Sequence, residues 1–237
     1  MLLLDNLLLS FLMMSLQLKS LEYGIYLQII YIFLKHLLRN IKELKENIAK
    51  EPNRRVSLAR IYSKTLKQNQ IDLMEIWTLA NKLEQYFAWP ILLLFFYNGI
   101  DILTTTSWAY VQYVYETRLI YQIFRLTFIG VLLSNMLLLS YLAQKCINEY
   151  KKFSQLLNNF QLYPHDKEII LNVKEYSLQL MHQRLKFSCS GYMNIDLKNC
   201  GKVTLIILVY ITILVQFKLS DVSEGAVRAT KFIFGKY

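Results

Sequence analysis

Long apolar runs alternate with charged, helix-forming segments along this chain, and the runs set its architecture. The first covers residues 2–34 and is interrupted by Asp5 and by Lys19 and Glu22. About 20 residues cross the hydrocarbon core of a bilayer, so this run exceeds one crossing. It contains no turn chemistry apart from Gly24, so one helix projecting beyond the bilayer is expected rather than two short ones. Lys19 and Glu22, three apart, are placed to pair on one helical face. Further runs cover 87–112, 119–143 and 203–219. Trp89 and Trp108 lie near the two ends of the second, where amphipathic rings favour the headgroup layer.

The intervening segments keep helical periodicity. Residues 35–86 are charged and broken once at Glu51-Pro52-Asn53, where Pro52 lacks a helical donor and Asn53 can cap a restart. Beyond that break Leu73, Ile76, Ala80, Leu83 and Phe87 recur at alternating spacings of three and four, a stripe suited to packing in a bundle. A polar link with Glu116 and Arg118 joins the second and third runs. After residue 143 the chain stays helical to Phe160 and turns at Tyr163-Pro164-His165-Asp166, with Asp166 as a cap. Ile169, Ile170, Val173, Tyr176, Leu180 and Met181 then line one side of an amphipathic helix.

Composition sharpens this picture. The chain is 54% hydrophobic with a mean hydropathy of +0.27, and it holds only 7 Gly and 3 Pro, so long helices fit better than a sheet. Its net charge of +10 does not indicate a nucleic-acid face, because 20 of the 27 Lys and Arg fall in residues 35–86 and 144–202. Basic segments between apolar runs are retained in the cytoplasm. Four spans with both basic loops inside place both termini outside. Cys146, Cys189 and Cys200 are odd in number, lack CxxC spacing, and read as reduced thiols. The N-terminus lacks the basic n-region of a signal peptide. His36, His165 and His182 are scattered, so no metal site is expected. No phosphate loop, nucleophile elbow or paired catalytic carboxylates mark an enzyme, and no cofactor is expected. The fold class is therefore all-α and multi-pass, with about four transmembrane helices and long cytoplasmic helical extensions.

The last run contains Tyr210, then five residues, then Gln216-Phe217. Upstream lies Phe187-Ser-Cys-Ser-Gly191-Tyr-Met-Asn194-Ile-Asp196. In this order the two elements resemble the seventh span of insect gustatory receptors and its Cys-Gly, Asn-Ile-Asp approach, although Val209 stands where the family has Thr. Leu58 to Leu93 is similar to the stretch leading into the family's fifth span. The resemblance implies four spans equivalent to the family's fourth to seventh, in a truncated or short form. It places 2–34, 87–112, 119–143 and 203–219 as those spans, with 35–86 and 144–202 as cytoplasmic segments. Residues 220–237 would form an extracellular tail. It further implies a ligand-gated cation channel that assembles as a homo- or hetero-oligomeric tetramer with receptor subunits. Its setting would be the plasma membrane of sensory neurons, in contact with lipid, and a small-molecule tastant would evoke acceptance or avoidance.

Candidate sites follow from the cost of polar groups in lipid. An unsatisfied amide facing hydrocarbon costs several kcal/mol, so Gln216 should face a pore, a helix or the interface. Val209, Thr212 and Gln216 share a helical face, and Phe217 beside it can supply an apolar constriction. Tyr210 can instead bond to a neighbouring helix. Asp101, well inside the second span, costs roughly 2.5–3.5 kcal/mol at a helix centre, so it should face a cavity or a partner such as Arg125. With Thr104, Thr105, Thr106, Trp108 and Tyr110 nearby, Asp101, Thr105, Trp108 and Arg125 form a candidate ligand pocket. The rival readings are a non-gating multi-pass subunit or small transporter, and a G-protein-coupled receptor. The first shows no internal repeat here, and the second requires seven spans and a cytoplasmic C-terminus.

Overall fold

A computed structural model describes residues 2–50, 56–114, 119–160 and 167–234, with side chains for residue 8 and from 11 to 217 apart from short stretches beside the intervening segments. Among these residues the chain forms α1 (Leu2–Lys50), α2 (Val56–Val114), α3 (Leu119–Asn158), α4 (Lys167–His182), a hairpin of β1 (Ser188–Cys189) and β2 (Met193–Asn194), and α5 (Leu197–Phe234). The expected Pro52 break, the 116–118 link and the Tyr163–Asp166 turn fall outside the described residues. α1 is one helix, as its lack of turn chemistry predicted. Residues 56–86 and the run from 87 are also one helix, with Pro90 inside it.

α2, α3 and α5 each carry a stretch long and apolar enough to cross a membrane. The fold is that of an all-α, multi-pass membrane protein. α1 is not among those three, and residues 2–7, 9 and 10, the apolar start of the expected first span, lie outside the described side chains.

One compact unit comprises Met1–Leu92 and Leu138–Leu197, and the other Leu93–Leu137 and Lys198–Tyr237. The first is a helix bundle with a repeating seam. On α1 the buried residues are Tyr23, Leu27, Ile30, Leu34, Leu37, Ile41, Leu44 and Ile48. On α3 they continue through Leu139, Ala143, Cys146, Tyr150, Phe153 and Leu157. On α2 they are Leu66, Asn69, Leu73, Ala80, Leu83 and Phe87, with Ile76 half-buried between. All three sets step by alternating three and four residues. That is the heptad of a coiled coil, in which each helix lays one seam against its neighbours. Full burial of each aliphatic side chain favours the bundle by about 1.5–3 kcal/mol relative to exposure.

Cross-helix bonds fix the register. Cys146 Sγ lies 3.3 Å from the carbonyl of Leu27. Gly24 leaves room for Leu139 and Leu142, whose methyl groups would sit 3.5 and 3.9 Å from an added Cβ. Tyr23 packs on Phe87 at 5.2 Å between ring centroids. Tyr23–Gly24 of α1, Phe87 of α2 and Leu139–Leu142 of α3 therefore lie at one level of the bundle.

α4 docks through a polar ladder. Ile169, Val173, Tyr176 and Leu180 are buried as expected, but Ile170 is only half-buried and Met181 is 68% exposed. A 16-residue helix against one groove needs a narrow stripe, so the two flanking apolar positions stay out. Asn172 Nδ2 donates to Ser63 Oγ at 2.7 Å, and Ser63 Oγ donates to Glu168 at 2.9 Å. Tyr176 Oη donates to Asn69 Oδ1 at 2.9 Å, and Asn69 Nδ2 donates to the carbonyl of Leu37 at 3.2 Å. The hairpin was not anticipated by periodicity, because its strands are two residues each. Its turn needs positive φ at Ser190 (50°) and Gly191 (77°), and Tyr192 N–H closes it onto the carbonyl of Cys189 at 2.9 Å.

Tyr176→Phe would strand the buried Asn69 Oδ1, so it should cost about 1–3 kcal/mol. Ser177→Ala, on the rim of α4, should cost far less. Thermal unfolding of the purified chain in detergent compares the two. Equal midpoints for wild type and Tyr176→Phe would remove the ladder from the account of docking. Burial also raises the Tyr176 and Tyr150 hydroxyl pKa, the latter from 10.0 to about 12. Their contribution should hold below pH 10 and be lost as pH rises towards 12, with a shallower loss in Tyr176→Phe.

Candidate functional site

The last helix differs from the others in how little of it the chain itself covers. Among residues 203–217 only Ile207 is buried; residues 203, 211 and 215 are half-buried at four-residue steps around it, and residue 204 is half-buried beside them. Ile207 lies against Gly99 of α2, at 3.9 Å from the position of an added Cβ. At 3.6 residues per turn, Val209, Thr212 and Gln216 fall on roughly the opposite side of α5 from this packed stripe. Tyr210 and Phe217 lie on one flank. Val209, Tyr210 and Phe217 are 51%, 55% and 68% exposed.

The polar groups on this face are unequal. Thr212 Oγ1 donates to the carbonyl of Leu208 at 2.9 Å, so its hydroxyl proton is satisfied within the helix. Gln216 is exposed. Its amide makes no bond to another described residue. The two expectations for this helix are thus compatible with its packing: the amide and the apolar ring are on surface that no part of the described chain occupies.

The expected ligand residues are less closely gathered. Asp101, Thr105 and Trp108 follow one another at helical spacing on α2. Asp101 and Thr105 are half-buried and Trp108 is 61% exposed. Trp89, near the other end of this span, is 59% exposed, so both indoles are free to meet an interface. Thr104 and Thr106 donate to their own helix, to the carbonyls of Ile100 and Ile102 at 3.0 and 2.7 Å. Asp101 and Arg125 form no ion pair. Arg125 Nη1 is instead buried without a hydrogen-bond partner among the described residues. Tyr110 has no described side chain.

Lys19 does pair with Glu22, at 2.7 Å, and also donates to Tyr86 Oη at 3.3 Å. The cysteines are free and buried. Burial, helped by Glu84, pushes the Cys189 thiol up to about 12, which leaves it protonated and inert. No group of three or more metal-ligating side chains occurs among the described residues.

One feature of the bundle lay outside the sequence-based expectations. The chain around the hairpin reads Arg184-Leu185-Lys186-Phe187, and its burial alternates: Leu185 and Phe187 are inside, Arg184 and Lys186 outside. Ser188 Oγ donates to Glu84 of α2 and anchors the strand there. Tyr150 Oη donates to the carbonyl of Gln183 at 2.6 Å and holds the end of α4 to α3. Beside Tyr150, between α3, the end of α4 and the residues flanking the hairpin, runs an open cleft of about 650 Å³. The period-2 alternation was the available signal for it.

A family model described as 7tm Chemosensory receptor matches residues 1–221. Putative gustatory receptor 98b of Drosophila melanogaster is 35% identical over 220 residues, covering 91% of this chain and 54% of the relative. Putative gustatory receptor 98c of the same organism is 31% identical over 223 residues, 92% of this chain and 53% of the relative. The chain thus spans about half the length of these curated relatives. The match from residue 1 takes in α1 as well as the motif-bearing α5, and with it this multi-pass chain belongs to the 7tm chemosensory receptor family.

Proposed function

We propose that the chain is a gustatory receptor subunit that takes part in taste perception as a ligand-gated cation channel in the plasma membrane of sensory neurons. The observation that carries this reading is α5: the face with Val209, Thr212 and Gln216 is turned away from the helix's own packing stripe, and Phe217 flanks it. Four such faces around an axis would enclose a path with an amide ring and an adjacent apolar ring, which closes by dewetting. The neighbouring subunits are further copies of this chain or related receptors. The relatives it matches are about twice as long, and in a receptor of their length further spans would complete the ligand pocket.

The register of the bundle bears on where the first span ends. If the second span begins at Phe87 and the third ends near residue 143, the same level on α1 is Tyr23–Gly24. Residues 2–22 would then be the first span, about 31 Å at 1.5 Å per residue, enough for the hydrocarbon core. This is shorter than 2–34 and puts Lys19 and Glu22 near the inner headgroups, where a charged pair is tolerated. The rest of α1 runs in the cytoplasm beside α2, as do residues 144–202. The C-terminus is extracellular.

In the outer half, Asp101, Thr105, Trp108 and Arg125 form the tastant face. The unpaired Arg125 Nη1 supplies its charged donor. Because no ion pair is lost, Arg125→Met should leave thermal stability unchanged or raise it. It should nevertheless shift the tastant concentration–response by about tenfold or more. A large fall in stability would show that Arg125 holds a structural pair instead. For orientation, a tag after Tyr237 should bind antibody on unpermeabilised cells, and staining only after permeabilisation would reverse the topology.

The gate is tested by three substitutions in a conducting receptor assembly. Phe217→Ala should widen the apolar ring and raise closed-state leak. Gln216→Ala should change conductance or ion selectivity with normal surface expression. Ile207→Ala, against Gly99, should act through packing and lower expression without altering selectivity. Unchanged leak, conductance and selectivity in the first two, at normal surface levels, would rule these residues out as the gate.

A further inference from the structure

The cleft between α3, the end of α4 and the hairpin has no part in the channel reading, and its lining is chemically two-sided. Leu180, Leu185 and Phe187 are buried and present an apolar floor. Lys151, Arg184 and Lys186 also line it and are all exposed, and Asp196 is the single carboxylate of the lining. None of the three cations makes an ion pair among the described residues. Lys152 next door is held by Glu149 at 2.6 Å, so Lys151 is distinguished from its neighbour by having no such partner.

Depth narrows the occupant. In the topology proposed above, on which this inference rests, the third span ends near residue 143. Ile147 of the cleft is then about 6 Å past the hydrocarbon edge at 1.5 Å per residue. The headgroup layer of each leaflet is about 5–8 Å thick, so the cleft opens within that layer and continues below it. The cytoplasmic leaflet is anionic, and basic pockets beside membrane helices recognise phosphorylated lipid headgroups. We propose that this cleft binds a polyanionic phospholipid of the cytoplasmic leaflet, with its phosphates on Lys151, Arg184 and Lys186 and its glycerol and upper acyl carbons on the apolar floor. Arg184 can engage a phosphate through two parallel N–H donors, and the lysines act as point charges. An occupant there would tie α3, α4 and the hairpin together.

The test uses the purified chain in detergent, so it reads binding without any current and is independent of whether the channel reading holds. A short-chain phosphatidylinositol bisphosphate is titrated and binding followed by native mass spectrometry and thermal shift. The wild type should saturate, whereas a short-chain phosphatidylcholine should not. Each of Lys151→Gln, Arg184→Gln and Lys186→Gln should weaken binding about fivefold, and the triple variant about a hundredfold. Lys174→Gln, exposed on α4 but outside the cleft, should bind as wild type. Since all these side chains are exposed, the variants should keep the wild-type unfolding midpoint without lipid. Inositol trisphosphate should bind more weakly than the lipid, because it lacks the part that covers Leu180 and Phe187. The proposal is overturned by failure of the lipid to saturate the wild type, or by undiminished binding to the triple variant. Equal binding of phosphatidylcholine would also overturn it, and equally tight binding of inositol trisphosphate would assign the cleft to a soluble phosphate instead.

Discussion

Asn69 occupies a seam position on α2 where every heptad neighbour is apolar, and its amide can be satisfied only if three helices arrive together. Its Nδ2 needs the Leu37 carbonyl of α1 and its Oδ1 needs the Tyr176 hydroxyl of α4. A buried polar group left without a partner costs about 1–3 kcal/mol, so a register slip of either neighbour is penalised twice. Apolar seams alone tolerate such slips, because one Leu fits another's place; a buried amide at a seam position does not. The bundle's alignment, and with it the level shared by Gly24, Phe87 and Leu142, follows from this ladder together with the Ser63–Asn172 and Gln70–Gln179 bonds beside it.

That alignment has consequences along each helix. α2 and α3 each run on as single helices from their bundle segments into their apolar stretches. α5 is joined to the bundle differently, through the hairpin, whose Ser188 is bonded to Glu84 and whose Tyr192 ring lies 6.5 Å from Trp89. The buried seams lie in the bundle, whereas the face proposed as the gate lies on the exposed side of α5.

Much of this was legible in residue order. Apolar runs of bilayer length separated by basic segments define a multi-pass membrane chain, because lipid satisfies no backbone donor and only helices can cross singly. The family was legible in Tyr210, Gln216, Phe217 and the Phe187–Asp196 approach. The heptad of α2 was seen, whereas the equally regular seams of α1 and α3 were obscured because their surroundings are apolar too. In a helix that is hydrophobic on several faces, periodicity no longer distinguishes the face that packs against protein from the face that meets lipid.

Spacing could also suggest that Asp101 and Arg125 are partners, since opposite charges in neighbouring spans reduce each other's cost. Their separation in space is a matter of helix rotation and register, which no single helix encodes, and the structure leaves them apart. The alternating Arg184-Leu185-Lys186-Phe187 was visible as a pattern, but its cleft exists only because Tyr150 and Glu84 hold the segment between α3 and α2. Sequence by itself determined that the chain is all-α and multi-pass and which family it belongs to, because these depend on local periodicity, on transfer from water to lipid and on the motif of the last span. Which seam residues meet, which polar groups find partners and which face of α5 stays bare were decided only by tertiary structure, because each depends on groups far apart in the chain arriving at the same place.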